Sequence, residues 1–143
     1  MASIEVSIDI PRPIGEVWGE AARLDRHVEW MADAEHIEFL DDRRSGVGTA
    51  MRVRTRVGPI VIHDDITVEE WAEPRLIAVS HNGLVSGTGS FVFEPIAGGT
   101  RFSWHEDLAF PWYLGGRLTA FLARPVFRSI WHGNLKRFAE VVG

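Results

Sequence analysis

Apolar and polar residues alternate along most of the chain, which is the pattern of β-strands with one buried face. The first example is IEVSIDI, one face of which carries Ile4, Val6, Ile8 and Ile10. Six later segments of similar character predict six more strands: HIEFL, TAMRVRTRV, IVIHDDITVEEW, RLIAVSH, GSFVFEP and RFSWHEDLAF. Turn residues separate them, and the NG and GG pairs among these residues are typical of hairpins between antiparallel strands.

Helical patterns are found in three places. Pro13 can occupy the first turn of a helix, where its missing N–H group costs nothing, and a helix is predicted over residues 14–23. A second short helical segment is predicted near LDRHVEW, and from about Trp112 the pattern is helical to the end. We expect this last helix to have about 25–30 residues and to bend near Pro125, because proline removes a helical hydrogen bond. The order β-α-α-β6-α predicts an α+β fold with a mostly antiparallel sheet.

The composition is that of one globular domain, and we predict a single domain over residues 1–143. Of its residues, 45% are hydrophobic and 24% are charged. A net charge of −5 argues against a nucleic-acid partner, and the absence of cysteine excludes disulfides and thiolate chemistry. No signal-peptide pattern and no apolar run of membrane-spanning length is found, so we expect a cytoplasmic protein without membrane insertion.

Two acidic residues lie on the apolar faces of predicted strands. Asp64 is two residues away from both Ile62 and Ile66, and Glu106 is two residues after Trp104. Residues separated by an even number of positions in a strand have the same parity. Because successive side chains of a strand point to opposite faces, both carboxylates are predicted to point inward with their apolar neighbours.

An ordered set of motifs resembles one known superfamily. IPRPIGEVW is similar to the I-x-x-P-x-x-x-V-W motif that opens START-like, helix-grip proteins of the polyketide cyclase/dehydrase branch. Further similarity follows in LDRHVEW, GVGT, EWAEPRLIAV, FEPIAGGTRFSW and NLKRFAEVV. The resemblance implies a curved antiparallel sheet of about seven strands around the C-terminal helix, with an apolar cavity between them. It does not imply one activity, because the superfamily contains aromatase/cyclases, lipid carriers, hormone receptors and chaperone activators.

Parity selects the side chains that we expect to line this cavity. The predicted set is Met51, Val53, Ile62, Asp64, Ile66, Ile77, Val79, Phe91, Phe93, Phe102, Trp104, Glu106 and Phe121. Arg128 and His132 of the last helix are further candidates, and a solvated helix edge is the alternative for both. We expect His63, His81 and His105 to point outward, and no ligand spacing supports a metal site or a cofactor.

A buried carboxylate either finds a partner or becomes neutral through a raised pKa. Asp64 and Glu106 are therefore candidates for general acid/base catalysis, or for structural pairs with an arginine. The partners that the sequence offers to Asp64 are Arg128, His132 and Glu106. The function we favour is binding of a small hydrophobic or aromatic molecule, lipid-like or polyketide-like, anchored by Asp64, Glu106 and Arg128. The alternatives are a cofactor-independent cyclase/dehydratase and, third, a protein-binding module. The sequence does not indicate an oligomeric state.

Overall fold

Seven strands form one antiparallel sheet in the computed structural model, which describes residues 2–143. The strands are β1 (Ala2–Ile10), β2 (Ala34–Phe39), β3 (Ala50–Val57), β4 (Ile60–Ala72), β5 (Leu76–Gly83), β6 (Ser86–Ile96) and β7 (Gly99–Ala109). Their order across the sheet is β1-β7-β6-β5-β4-β3-β2. Strands β2 to β7 thus form a continuous meander, and β1 joins it beside β7.

Helical segments connect β1 to β2 and complete the chain after β7. Helix α1 (Ile14–Ala21) and a 3-10 helix (Leu24–Glu29) follow β1, and a 3-10 turn (Trp112–Leu114) precedes α2 (Gly116–Val142). Helix α2 has 27 residues and continues through Pro125, so its predicted length is confirmed. The bend at Pro125 stays a prediction. The predicted element order and the helix-grip architecture are confirmed.

Aromatic side chains attach the C-terminal half of α2 to the sheet. Phe138 of α2 lies 5.0 Å from Phe102 of β7 and 5.0 Å from Trp30, in both cases with ring edge against ring face. All three side chains are fully buried. Such pairs contribute about 0.5–1.5 kcal/mol each beyond the burial of their area, so this cluster fixes the rotation of α2 about its axis.

The register of β4 determines which of its side chains face inward. The pairing with β5 shifts between Val68 and Glu70, beyond the segment that contains Asp64. Ile62, Asp64 and Ile66 therefore keep one parity and face the same space.

Candidate functional site

A cavity of about 160 Å³ lies between the sheet and α2. Its wall is mostly apolar and draws on β2 to β7, the 3-10 helix and α2. An apolar cavity of about 150 Å³ in another protein holds one benzene molecule, so this space matches a single aromatic ring.

Most of the side chains selected by parity lie at the cavity wall. They are Met51, Val53, Ile62, Asp64, Ile66, Ile77, Val79, Phe91, Trp104 and Glu106. Phe93 and Phe102 have the expected parity, but they are 1% and 0% exposed and belong to the core beside the cavity. A role of the wall residues in ligand binding stays a prediction.

The structure corrects the placement of three predicted site residues on α2. Phe121 is 62% exposed, and Arg128 and His132 are also exposed, so none of them lines the cavity. Phe127 and Trp131 reach the cavity instead. The physical reason is the rotation of α2: the buried side chains of its C-terminal half turn the face with Phe127 inward and the face with Phe121 outward.

Three nearly parallel rings, two from α2 and one from β7, form part of the cavity wall. Trp131 stacks on Trp104 at 5.1 Å with an interplanar angle of 17°, and Phe127 stacks on Trp131 at 5.2 Å and 20°. Offset stacking of this kind is a favourable arrangement for aromatic rings. The stack contributes aromatic surface to the cavity wall.

A histidine joins the two inward carboxylates. His81 Nδ1 lies 2.8 Å from Asp64 Oδ2, and His81 Nε2 lies 2.9 Å from Glu106 Oε2. Trp104 donates a hydrogen bond of 2.9 Å from Nε1 to Glu106 Oε1. The side chains of Asp64, His81 and Glu106 are 16%, 12% and 7% exposed, and we call these three residues the triad.

The triad corrects two expectations from the sequence. The prediction that His81 points outward is wrong, because it lines the cavity. His81 is also the direct partner of Asp64, in place of the expected Arg128, His132 or Glu106. Strand parity could have predicted the inward direction of His81, because His81 is two residues beyond Val79 in β5 and must share its face.

Two glycines make room for the carboxylates. In the sheet, Gly83 is the partner of Asp64 and Gly89 is the partner of Glu106. A Cβ atom on Gly89 would lie 2.5 Å from both carboxylate oxygens of Glu106, and one on Gly83 would lie 2.8 Å from Asp64 Oδ1. Any larger residue at position 89 must therefore displace Glu106.

The two buried histidines of the cavity wall differ in protonation. Burial favours the neutral form of His81, but the hydrogen bonds to Asp64 and Glu106 outweigh it and raise the pKa of His81 to about 10. Burial lowers the pKa of His27 to about 4. The Nε2 atom of His27 lies 2.7 Å from the carbonyl oxygen of Ala21, which can only accept, so the proton is on Nε2 and Nδ1 is an acceptor.

We expect nitrogen NMR spectra to show His81 as a doubly protonated imidazolium at pH 8 and His27 as a neutral ring at pH 5.5. The pKa of His81 is raised on folding, so its contribution to stability is complete below about pH 6.5 and is lost as the pH rises towards 10. The pKa of His27 is lowered, so its contribution is complete above about pH 6.5 and is lost as the pH falls towards 4. A His81 ring that loses its proton below pH 8 would contradict the triad geometry.

The triad is unsuited to hold a metal ion, because both ring nitrogens of His81 are hydrogen-bonded to carboxylates. Across residues 2–143 no group of three or more histidine and acidic side chains has metal-binding geometry. None of the helices in this part of the chain is long and apolar enough to cross a membrane.

Comparisons with known proteins agree with this architecture. Protein TTHA0849 from Thermus thermophilus is 21% identical, with a TM-score of 0.81 over 98% of this chain and 96% of that chain. The Zhui aromatase/cyclase from Streptomyces sp. R1128 is 16% identical, with a TM-score of 0.67 over 98% and 90%. Ara h 8.0201 is 13% identical, with a TM-score of 0.68 over 98% and 96%. At these identities the likeness shows the fold.

A search among curated proteins gave no match to this chain. A family model described as "Polyketide cyclase / dehydrase and lipid transport" matches residues 1–143, the whole chain. The resemblance found in the sequence motifs is thereby confirmed. The chain belongs to the polyketide cyclase/dehydrase and lipid transport family, within the START-like helix-grip superfamily.

Proposed function

We propose that this protein binds a small apolar molecule, of about the size of one aromatic ring, in the cavity between the sheet and α2. The observation that carries the proposal is a mostly apolar wall that contains a cluster of ionisable side chains, the triad. Binding cavities combine these two features, because apolar contact supplies affinity and a few polar groups fix orientation. The rings of Phe127, Trp131 and Trp104 add aromatic surface that can pack against a ligand ring.

The size of the cavity restricts the ligand class. A volume of about 160 Å³ does not hold a long acyl chain or a polycyclic polyketide unless α2 moves away from the sheet. A single-ring compound fits without such a movement. The description of the family, which includes lipid transport, supports an apolar ligand in general.

The triad and the tryptophans of the wall favour a ligand that donates a hydrogen bond. The side-chain N–H groups of His81 and Trp104 are committed to carboxylates, and Trp131 Nε1 donates to Asp33 over 3.2 Å. Asp64 Oδ1 is buried and has no partner in the described part of the chain. With His81 protonated, the triad carries a net charge of −1, so a phenol or an amine fits better than a carboxylate ligand.

A cyclase/dehydratase activity is the weaker candidate. A general acid or base works best when its pKa lies near the operating pH. The pKa of His81 is raised to about 10 by its hydrogen bonds to Asp64 and Glu106, which overcome the opposing effect of burial. Both of its N–H groups are already bound, so the ring is a fixed positive charge. The triad is therefore better suited to orient a ligand than to move protons.

We expect calorimetric titration at pH 7 to show binding of both phenol and toluene to the native protein. The Asp64→Asn variant should lose about tenfold or more of its phenol affinity, because a hydrogen bond to a charged group contributes about 1.5–3 kcal/mol. Its toluene affinity should change by less than about twofold, because toluene uses the apolar wall alone.

Asp65→Asn is the matched control, since the Asp65 side chain is 43% exposed and pairs with Arg52 outside the cavity. This variant should bind both compounds like the native protein. If neither compound bound the native protein, the proposed function would be wrong. If both bound but Asp64→Asn left the ratio of the two affinities unchanged, the cavity would bind ligands without the triad as an anchor.

A further inference from the structure

The N-terminal half of α2 and the turn before it expose an apolar stripe. We define the stripe by Trp112, Leu114, Leu118, Phe121, Leu122 and Val126. Trp112 is 86% exposed, and Leu118, Phe121 and Leu122 are 61–65% exposed. From Leu118 onward the spacing is i, i+3, i+4 and i+8, which places these side chains on one face of a helix. Ordinary monomeric surfaces rarely carry so continuous an apolar patch.

The stripe points away from the rest of the protein. On the other side of the same helical turns, Ala120 is buried and Phe127 lines the cavity. At 100° per residue these two positions lie roughly opposite Leu118 and Leu122. The stripe is therefore not needed to pack α2 against the rest of the protein, since α2 buries a separate face.

Basic residues accompany the stripe, and acidic residues are missing from the whole segment. Residues 108–139 contain no Asp or Glu, although the complete chain has a net charge of −5. Arg117, Arg124 and Arg128 are spaced by seven and four residues, so they form a row along one flank of the stripe. Within residues 2–143 none of them forms a salt bridge. The segment thus combines exposed apolar area with positive charge.

We propose that the stripe and its arginine row dock this protein on the surface of an anionic lipid membrane. A helix that lies in a membrane interface buries its apolar face among the acyl chains and directs arginines towards the headgroups. Long arginine side chains reach the headgroups while their stems stay in apolar surroundings. Trp112 and Tyr113, at the start of the segment, are residue types that prefer this boundary.

A second copy of the chain is a poorer partner for this surface. In a two-fold symmetric dimer the same patch meets itself. Such a contact would bring together the arginine rows of two segments that contain no carboxylate. An anionic lipid surface supplies the negative charge that the copy lacks, at about 1 kcal/mol for each basic residue near it.

The proposal concerns a surface separate from the cavity and stands independently of the proposed ligand. The two are connected through α2, because the helix that carries the stripe also contributes Phe127 and Trp131 to the cavity wall. Docking would hold the helix at the lipid surface, with the cavity on its opposite side.

The test is sedimentation of the protein with vesicles. We expect it to sediment with vesicles that contain phosphatidylserine, to stay mostly in solution with vesicles of phosphatidylcholine alone, and to be released by added salt. The double variant Leu118→Ser with Phe121→Ser should lower the partition coefficient by about tenfold or more, because it removes apolar area from the stripe. Arg128→Gln should lower it by about fivefold, as expected for one basic residue.

Matched controls are Val47→Ser and Arg43→Gln, which alter exposed residues of the loop between β2 and β3. Both should partition like the native protein. Equal binding to the two kinds of vesicle, or equal effects of the control and stripe variants, would overturn the proposal. Light scattering that shows a dimer in the native protein and a monomer in the double variant, without vesicle binding, would overturn it in favour of self-association.

Discussion

Replacement of His81 with leucine should lower the free energy of unfolding by about 3–5 kcal/mol at pH 7, as measured by urea denaturation. The side chains of Asp64 and Glu106 are 16% and 7% exposed, and the imidazolium between them is the hydrogen-bond partner they share. Leucine has a similar size but cannot donate a hydrogen bond or carry charge. Its presence would leave two carboxylates in an apolar cavity without their shared counter-charge, which is among the most destabilising changes in a protein interior.

A variant that removes all three charges separates this cause from a simple packing defect. Asp64→Asn, His81→Leu and Glu106→Gln together leave no uncompensated charge, and they should recover most of the stability lost in His81→Leu. Replacement of a buried ion pair by well-packed hydrophobic residues is often neutral or stabilising, and Asn and Gln likewise remove the charge while keeping the shape of the side chains. Native stability in the single variant His81→Leu would contradict the buried ionised triad. A triple variant as unstable as the single one would assign the loss to packing.

Replacement of Gly89 with alanine should lower the free energy of unfolding by about 1–3 kcal/mol, in the range of overpacked interiors. The added methyl group would lie 2.5 Å from both carboxylate oxygens of Glu106, so the carboxylate has to move. Movement of Glu106 separates it from His81 Nε2, which is 2.9 Å away in the native arrangement. We therefore expect the NMR signature of a doubly protonated His81 at pH 8 to be lost in this variant.

The control for this substitution is Gly15→Ala in α1, where an added methyl group meets nothing within 4 Å. Alanine should raise the stability there by about 0.5–1 kcal/mol, because it has the higher helix propensity. If Gly89→Ala kept both the native stability and the protonated His81, the room for Glu106 would not depend on this glycine.

Strand parity explains why so much of the site could be predicted from the sequence. Each strand buries one face, and a shift by one residue would expose all of its apolar side chains. Ile62 and Ile66 therefore fix the direction of Asp64, and Trp104 does the same for Glu106. The same rule applied to β5 would have placed His81 beside them.

Helix orientation depends on contacts that the local pattern does not contain. Helix α2 has apolar residues on both faces, so its periodicity alone led to the wrong prediction that Phe121 points inward. The inward face of α2 is determined by Trp131 and Phe138, which are buried against elements distant in the sequence. The space that Gly89 leaves for Glu106 could not be predicted from the local sequence either, because the two residues become neighbours only when β6 and β7 pair.

The most direct test of the proposed ligand-binding function is to locate phenol on the protein by NMR. Nuclear Overhauser effects between the ring protons of bound phenol and methyl groups report contacts within about 5 Å, and methyl groups fill much of this cavity wall. We predict such effects from phenol to the methyl groups of Ile66, Val79 and Val85, all of which line the cavity. Effects confined to Leu118 and Leu122 on the exposed stripe, with none to the cavity methyl groups, would contradict the account.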